Sequence, residues 1–337
     1  MQITTSAPGK LILLGEYAVL EGAPAVVSAV NRRARVQVRS SPSWRINAPQ
    51  MEIRDLPLAA DGSLPDNLDL GRRTALSVYD AVRAAVVERN GPLRPLVIDI
   101  DSAAFYRRGG KLGLGSSAAV AVAATAAMFA AAGAETEREQ IFSLAADAHR
   151  RAQGGRGSGV DVAASAYGGT LVHRQGQKPV AVPLPAGLDP VAVDTGISAS
   201  TPSLLEAVYS LRRRDSMRFL KCMGRLAELA EQGADHLRRA DGDSFLSIVE
   251  AYYHALAELG EAAGADIVSA VHKHLHGIVR GAGGSYKPSG AGRGDFGLAF
   301  AADREVRRSV VASVTRAGFC ANGFSLATSG MDISGKR

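Results

Sequence analysis

Cysteine is scarce in this sequence. Cys222 and Cys320 are the only two among 337 residues, and neither belongs to a Cys-x-x-Cys pair. Two isolated cysteines exclude the disulfide scaffold of small secreted proteins and the cysteine spacing of zinc-binding motifs. We therefore expect free thiols in a reducing, cytoplasmic environment.

Long hydrophobic runs are also missing. The most apolar stretch, residues 118–132, is mostly alanine and is about one helical turn shorter than the roughly 20 residues that cross a bilayer. The N-terminus enters a predicted strand at once, without the basic start and apolar core of a signal peptide. We expect no membrane partner.

Aromatic residues make up only 5% of the chain, and no basic stretch is interleaved with them. Zinc-finger spacing and RNP-like sequences are missing too, which argues against a nucleic-acid partner. The net charge of +6 suits anionic small molecules instead. The densest basic run, residues 212–214, is interpreted as a solvated helix face. The oligomeric state stays open.

Glycine, by contrast, is concentrated in a few loops. Lys111-Leu112-Gly113-Leu114-Gly115-Ser116-Ser117-Ala118-Ala119 follows an apolar strand and runs into an alanine-rich helix. Small residues let the backbone approach a ligand, and the free amides of a helix start favour phosphate. An ordinary helix start is the alternative. No Gly-Lys precedes Ser or Thr, which excludes a Walker P-loop. A capping box at Thr136 and Glu139 predicts a second helix after the first, whereas a Rossmann unit needs a strand there.

Two further glycine-rich segments flank this one. The first, residues 7–20, carries Lys10 at the start of a buried-looking strand and then Glu16 and Tyr17; the second, residues 287–297, has alternating glycines. The three segments, in this order, resemble the three motifs of the GHMP kinases, the galactokinase, homoserine, mevalonate and phosphomevalonate kinase superfamily. The resemblance implies a two-domain α+β fold. Its parts would be an N-terminal mixed α/β domain, residues 1–185, and a helix-rich C-terminal α+β domain, residues 186–337.

A fourth segment, residues 149–168, is similar to the His-x-x-Ala-Gln-Gly and Gly-Ser-Gly-x-Asp-Val-Ala stretch of the phosphomevalonate kinase branch. Mevalonate kinases tend to have a magnesium-binding glutamate where this chain has Arg150. The departure favours an acceptor that is already anionic. Arg293 is a second departure, because a small residue is expected there. The alternatives for Arg293 are an added phosphate contact and crowding of the nucleotide.

The resemblance also implies roles for individual residues. Lys10 would neutralise the transferred charge; the alternative is a surface lysine. Asp161 would act as general base or as an orienting group; the alternative is a helix N-cap. The cofactors would be ATP and Mg²⁺, with Ser117, or Ser116, as the metal ligand. The ATP phosphates would be held by Lys111, Gly113, Leu114, Gly115, Ser116, Ser117 and Ala118. The candidate acceptor contacts are Tyr17, Ser158, Gly159, Ser200, Thr201, Ser289, Gly290, Ala291 and Gly292.

The implied reaction converts ATP and 5-phosphomevalonate into ADP and 5-diphosphomevalonate. The alternatives are a mevalonate kinase or another GHMP small-molecule kinase, and, from a different class, a nucleotide-binding sensor without catalysis. Residues 281–294 are expected to be flexible and to close over the acceptor.

Other residues have weaker interpretations. His272 and His276 share one face of a predicted helix and could bind a metal, but an exposed face is favoured. His149 is either packed or catalytic, and Trp44 and Tyr106 either flank an adenine or belong to the core. The periodicity predicts strands at 3–6, 10–14, 34–38, 96–100 and 296–301, and helices at 74–88, 117–132, 137–152, 204–211, 216–231, 243–259, 267–280 and 304–316.

Overall fold

The computed structural model describes residues 1–107, 110–155, 157–188, 190–198, 201–322 and 324–336. Its strands are β1 (Gln2–Leu14), β2 (Ala25–Ser40), β3 (Arg45–Ala48), β4 (Ile53–Pro57), β5 (Leu96–Asp101), β6 (Tyr106–Arg107), β7 (Gly110–Lys111), β8 (Thr170–His173), β9 (Val180–Ala181), β10 (Val191–Asp194), β11 (Ser285–Ser289), β12 (Phe296–Phe300), β13 (Cys320–Asn322) and β14 (Asp332–Lys336). Its α-helices are α1 (Leu70–Ala75), α2 (Ser77–Asn90), α3 (Ser116–Ala131), α4 (Arg138–Ala152), α5 (Val160–Tyr167), α6 (Thr201–Arg214), α7 (Ser216–Arg238), α8 (Gly242–Ala263), α9 (Ala270–Gly281) and α10 (Arg304–Arg316).

The first sheet has eight strands, with β14-β1-β2-β5-β3-β4 in order, β8 paired with β2, and β9 paired with β8. The long strands β1 and β2 are antiparallel, and β2 pairs with β8 through residues 25–28 and with β5 through residues 35–40. Helix α3 packs on β1 and β2, and its residues 118–130 are all buried. Its alanines lack bulk, so the helix can lie close to the sheet.

The second sheet has four strands in the order β11-β12-β10-β13, all antiparallel. Helices α8 and α9 pack on β11, and α7 packs on α8. The α+β class predicted from the sequence is confirmed. The division near residue 185 stays a prediction, and strand β14, from the far end of the chain, pairs with β1 in the first sheet.

Three local predictions differ from the structure. The helix predicted at 74–88 is two helices that join at Leu76. The capping box does not form, because α4 begins after Glu137 and Thr136 therefore precedes the cap; Glu139 pairs with Lys178 instead. Residues 281–294 are not one flexible loop, since they include β11.

The two sheets meet where β1 approaches β11. The Ser289 hydroxyl donates to the carbonyl of Ile12 at 3.0 Å and accepts from the Ile12 amide at 3.2 Å. This contact brings the N-terminal and C-terminal glycine segments together. Across the described ranges, no helix combines the length and the apolar composition needed to cross a membrane.

Candidate functional site

Lys10 and Asp161 meet beside the start of α3. Nζ of Lys10 lies 3.8 Å from Oδ1 of Asp161 and donates to the carbonyl of Gly113 at 3.5 Å. The Lys10 side chain is 9% exposed and that of Asp161 is 30% exposed. The surface-lysine alternative is therefore wrong, because the ammonium is enclosed by a carboxylate and a carbonyl.

Gly115 lies against this pair. A Cβ at Gly115 would be 3.1 Å from Cγ of Lys10 and 3.5 Å from Oδ2 of Asp161. Gly115 is the N-cap of α3 with a φ of 77°, a left-handed conformation that L side chains rarely adopt. A side chain here would be strained and would crowd the catalytic candidates.

The turn before α3 is held in place at its backbone. Leu114, whose side chain is buried, accepts a hydrogen bond of 2.9 Å from the Lys10 amide. The amide of Ala119 donates to the Gly115 carbonyl at 3.1 Å. The amides of Ser116, Ser117 and Ala118 precede that first intrahelical bond, so they are the donors that a helix start offers to an anion. The predicted phosphate loop therefore has the geometry of an anion site.

Ser117 is bonded to a buried histidine. Its Oγ lies 3.0 Å from Nε2 of His149, which reaches it from the last turn of α4. Burial lowers the pKa of His149, and the charge of Asp161 opposes that shift. A neutral imidazole can accept a hydrogen bond from the hydroxyl, which leaves both lone pairs of the Ser117 oxygen available to a cation. His149 is thus packed and hydrogen-bonded.

Asp161 is positioned by the turn that begins α5. Gly159, with a φ of 77°, is the N-cap, and Asp161 lies within the first turn. The N-cap alternative for Asp161 is therefore wrong. Ser158 is buried, and its carbonyl lies 3.1 Å from Nε2 of His173 on β8. His173 is a supporting residue that the sequence reasoning missed.

The C-terminal glycine loop closes the site from the other side. The Tyr17 hydroxyl donates to the carbonyl of Ala291 at 2.5 Å, and burial raises the pKa of that phenol. A Cβ at Gly113 would lie 2.6 Å from Oδ2 of Asp295, so the loop contacts the phosphate turn. A Cβ at Gly292 would lie 2.3 Å from the carbonyl of Ile267. Gly292 is therefore needed where the loop passes close to the backbone of Ile267.

Arg293 is the departure noted in the sequence. Its φ is 66°, its amide donates to Ile267 at 2.8 Å, and its carbonyl accepts from Ser269 at 2.8 Å. Its side chain is exposed. The left-handed backbone explains why a glycine would suit this position, and anchoring on both sides holds the arginine there.

A buried ion pair lies beneath the loops, and the sequence reasoning did not assign it. Nζ of Lys287 is 2.5 Å from Oε1 of Glu16, with the two side chains 0% and 2% exposed. The same carboxylate oxygen accepts from the amide of Gly290 at 3.3 Å. Burial lowers the pKa of Lys287, and Glu16 opposes the shift. The charged residues beside both glycine segments were visible in the sequence, but the contact between them was not.

Two of the remaining predicted residues are exposed, and a third lies outside the described residues. Lys111 is exposed, with Nζ 5.9 Å from the ring centre of Tyr106. Thr201 is exposed at the first residue of α6, and Ser200 lies outside the described residues. Their roles stay predictions.

Two other sequence interpretations are now resolved. His272 is fully buried and bonded to Tyr286 at 2.8 Å, so its predicted exposure is wrong. Helical periodicity did not indicate the burial of His272, because strand β11 covers that face of α9. His276 pairs with Glu250 instead. Trp44 is 3% exposed and belongs to the core.

Comparisons with known proteins agree with this arrangement. The family model "GHMP kinases N terminal domain" matches residues 78–169. A mevalonate kinase of Aeropyrum pernix is 32% identical, with 93% of each chain covered, and a phosphomevalonate kinase of a Streptomyces species is 30% identical, with 91% of this chain and 92% of that protein covered. The crystal structure of Streptococcus pneumoniae phosphomevalonate kinase in complex with phosphomevalonate and AMPPNP has the same fold, with a TM-score of 0.79, 21% identity, and 94% of this chain and 98% of that chain covered. This chain belongs to the GHMP kinases.

Proposed function

We propose that this GHMP kinase transfers the γ-phosphoryl group of ATP to 5-phosphomevalonate, giving 5-diphosphomevalonate and ADP. The observation that carries the proposal is the Lys10–Asp161 pair, whose Nζ and Oδ1 lie 3.8 Å apart beside the amides that begin α3. Phosphoryl transfer needs cations and amides around the phosphates and little covalent work from the protein.

In this proposal the first amides of α3 hold the ATP phosphates, and Lys10 neutralises charge between donor and acceptor. An oxygen of the acceptor phosphate attacks the γ-phosphorus, and the bond to the bridging oxygen of the β-phosphate breaks. The acceptor is largely a dianion at neutral pH, because its second pKa is about 6. Asp161 then orients Lys10 and the acceptor and has no proton to remove.

The residues present fit a magnesium ion. Oxygen is the ligand type that Mg²⁺ prefers, and the Ser117 hydroxyl, bonded to His149 at 3.0 Å, can offer its lone pairs. Ser117 would hold the ion, with Ser116 as the alternative. When bound, magnesium supplies neutralisation of phosphate charge.

The choice of acceptor is supported by the segment around α4 and α5. Arg150 replaces the glutamate expected of a mevalonate kinase, and a phosphomevalonate kinase is among the relatives that match almost the whole chain. Mevalonate kinase is the second candidate, favoured by the relative from Aeropyrum pernix at 32% identity. A non-catalytic sensor is disfavoured, because nucleotide binding alone would not require the enclosed Lys10–Asp161 pair.

The test is ADP release from ATP and Mg²⁺, with mevalonate and 5-phosphomevalonate offered separately. We expect turnover with 5-phosphomevalonate alone. Turnover with mevalonate would move the chain to the second candidate, and ATP binding without turnover of either compound would favour a different acceptor or a sensor. A Lys10→Met preparation measures any contaminating ATPase.

A further inference from the structure

A second group of ligand-type side chains lies on helices α8 and α9. Oε1 of Glu250 is 2.7 Å from Nε2 of His276 and 3.3 Å from Nε2 of His254. One ligand atom from each of the three residues lies within 4.8 Å of the others. Glu250 and His254 are four residues apart on α8 and so share a face, while His276 comes from α9.

We propose that Glu250, His254 and His276 form a binding site for one Zn²⁺ ion, which links α8 to α9. Zinc binds histidine nitrogen and carboxylate oxygen at about 2.0–2.2 Å, so the ligand atoms of a tetrahedral site are about 3.3 Å apart. The 3.3 Å distance from Glu250 Oε1 to His254 matches that spacing, and the 2.7 Å distance to His276 is shorter. Three protein ligands leave one position for water.

The surroundings of the cluster favour a bound cation. Oε2 of Glu250 is buried and has no hydrogen-bond partner among the described residues. The His276 ring is held by a parallel stack on Tyr253, with ring centres 3.9 Å apart and planes 4° apart. A carboxylate with unused acceptor capacity and an oriented imidazole are the partners that a divalent ion needs.

The exposure of Arg280 and of His254 affects how a zinc ion would bind. Nε of Arg280 lies 3.7 Å from Oε1 of Glu250, but its side chain is 52% exposed and can turn toward solvent. His254 is 66% exposed and can rotate to complete the ligand set, whereas His276 is 18% exposed and nearly fixed. We therefore expect His254 to move most when zinc binds.

A zinc ion here would be connected to the C-terminal glycine loop through helix α9. Helix α9 directly follows Ser269, and Ser269 and Ile267 hold both backbone groups of Arg293 in the C-terminal glycine loop. Linking α8 to α9 would brace the segment that anchors that loop. The cluster does not overlap the Lys10–Asp161 site, so zinc binding does not depend on the proposed reaction.

The test measures zinc bound per chain at pH 7.5 by equilibrium dialysis with elemental analysis. The protein is free of any affinity tag and nucleotide and carries Cys320→Ser, since Cys320 is exposed. We expect one zinc ion per chain and an upward shift of the unfolding temperature with zinc. His254→Asn and His276→Asn should each lose more than about tenfold in affinity, because even outer-shell changes cost about 10–100-fold.

His274→Asn is the matched control, since His274 is exposed on α9 and lies outside the cluster. It should bind zinc as the parent protein does. The proposal is overturned if the parent protein binds no zinc, if the cluster variants bind as tightly as the parent, or if His274→Asn weakens binding equally. Should His276→Asn fail to fold, the exposed His254→Asn still decides the question.

Discussion

At the level of single residues, the candidate site contains two charged groups that differ in exposure. Lys10 is enclosed against Gly113 and Asp161, whereas Asp161 keeps 30% of its side chain exposed. In the proposed reaction, this enclosure would strengthen the effect of the lysine charge on the transferred phosphoryl group, because little water competes with it. The exposed carboxylate edge can contact an acceptor directly.

Substitutions at these two residues distinguish the acceptors. Lys10→Met should lower kcat by about 10²–10³-fold, the cost of removing one preorganised charge-stabilising donor. Asp161→Asn should cost much less than the about 10²–10⁴-fold of a lost general base, because an ionised phosphate acceptor needs no base. Steady-state kinetics and ATP binding would be measured for each, with the exposed Lys273→Met as control. A 10³-fold loss in Asp161→Asn would favour a hydroxyl acceptor.

A buried histidine makes stability depend on pH. Burial lowers the pKa of His272 to about 4, while the unfolded chain keeps a value near 6.5. The unfolded state therefore binds the proton more readily, and stability that is complete above pH 6.5 falls as the pH drops toward 4. The loss from this residue is about 3 kcal/mol at most.

His272→Gln, which does not titrate and can still bond to Tyr286, should flatten that decline. Urea unfolding between pH 7 and pH 4 measures it. The buried His149 and His173, whose pKa values burial also lowers, contribute to the same fall in both proteins. The exposed His274→Gln should follow the parent curve. Parallel curves for His272→Gln and the parent would contradict the prediction.

At the scale of elements, α3 has a left-handed glycine at each end. Gly115 and Gly133 both have a φ of 77°, but a Cβ at Gly133 would meet nothing within 4 Å, whereas one at Gly115 would crowd Lys10. The two positions therefore separate backbone strain from effects on the site.

Gly115→Ala and Gly133→Ala should each lose about 1–2 kcal/mol of stability, the cost of a left-handed L-residue. Only Gly115→Ala should also reduce turnover, because its methyl group displaces Lys10 from Asp161. Urea unfolding and steady-state kinetics on both variants check this. Equal turnover in the two variants would show that the turn tolerates the methyl group and would weaken the assigned role of Gly115.

At the scale of the whole molecule, the two sheets are joined by a buried charge pair. Glu16 follows β1 and Lys287 lies in β11, and the Tyr252 hydroxyl of α8 donates to the Glu16 carbonyl at 2.9 Å. Three parts of the chain therefore converge on one carboxylate residue. Removing only one charge leaves the other buried without compensation.

Lys287→Met should cost about 3–5 kcal/mol of unfolding free energy, and the double variant Glu16→Gln with Lys287→Met should recover part of it. Urea denaturation of both variants and of Lys273→Met, an exposed lysine, measures the effect. A double variant as unstable as Lys287→Met would mean that lost packing, rather than the unpaired charge, sets the cost.

The local chemistry of this protein is encoded in short stretches of its sequence. Glycine spacing, a lysine at a strand start and an aspartate after Gly-Ser-Gly indicated the family. Each of these motifs consists of a few neighbouring residues, so it is visible without knowledge of the fold. The buried helix 117–132 was predicted to within one residue, since its alanine content and its flanking residues are local signals.

Contacts between distant residues depend on how the elements pack together. The Glu16–Lys287 pair joins residues 271 positions apart, and the burial of His272 depends on Tyr286 in a strand beyond its helix. The cluster of Glu250, His254 and His276 likewise needs residues from two helices that both pack on β11. Hydrophobic periodicity indicates which face of a single helix or strand is polar. Whether the polar groups on that face are buried, and which groups they contact, depends on the other elements that pack against it.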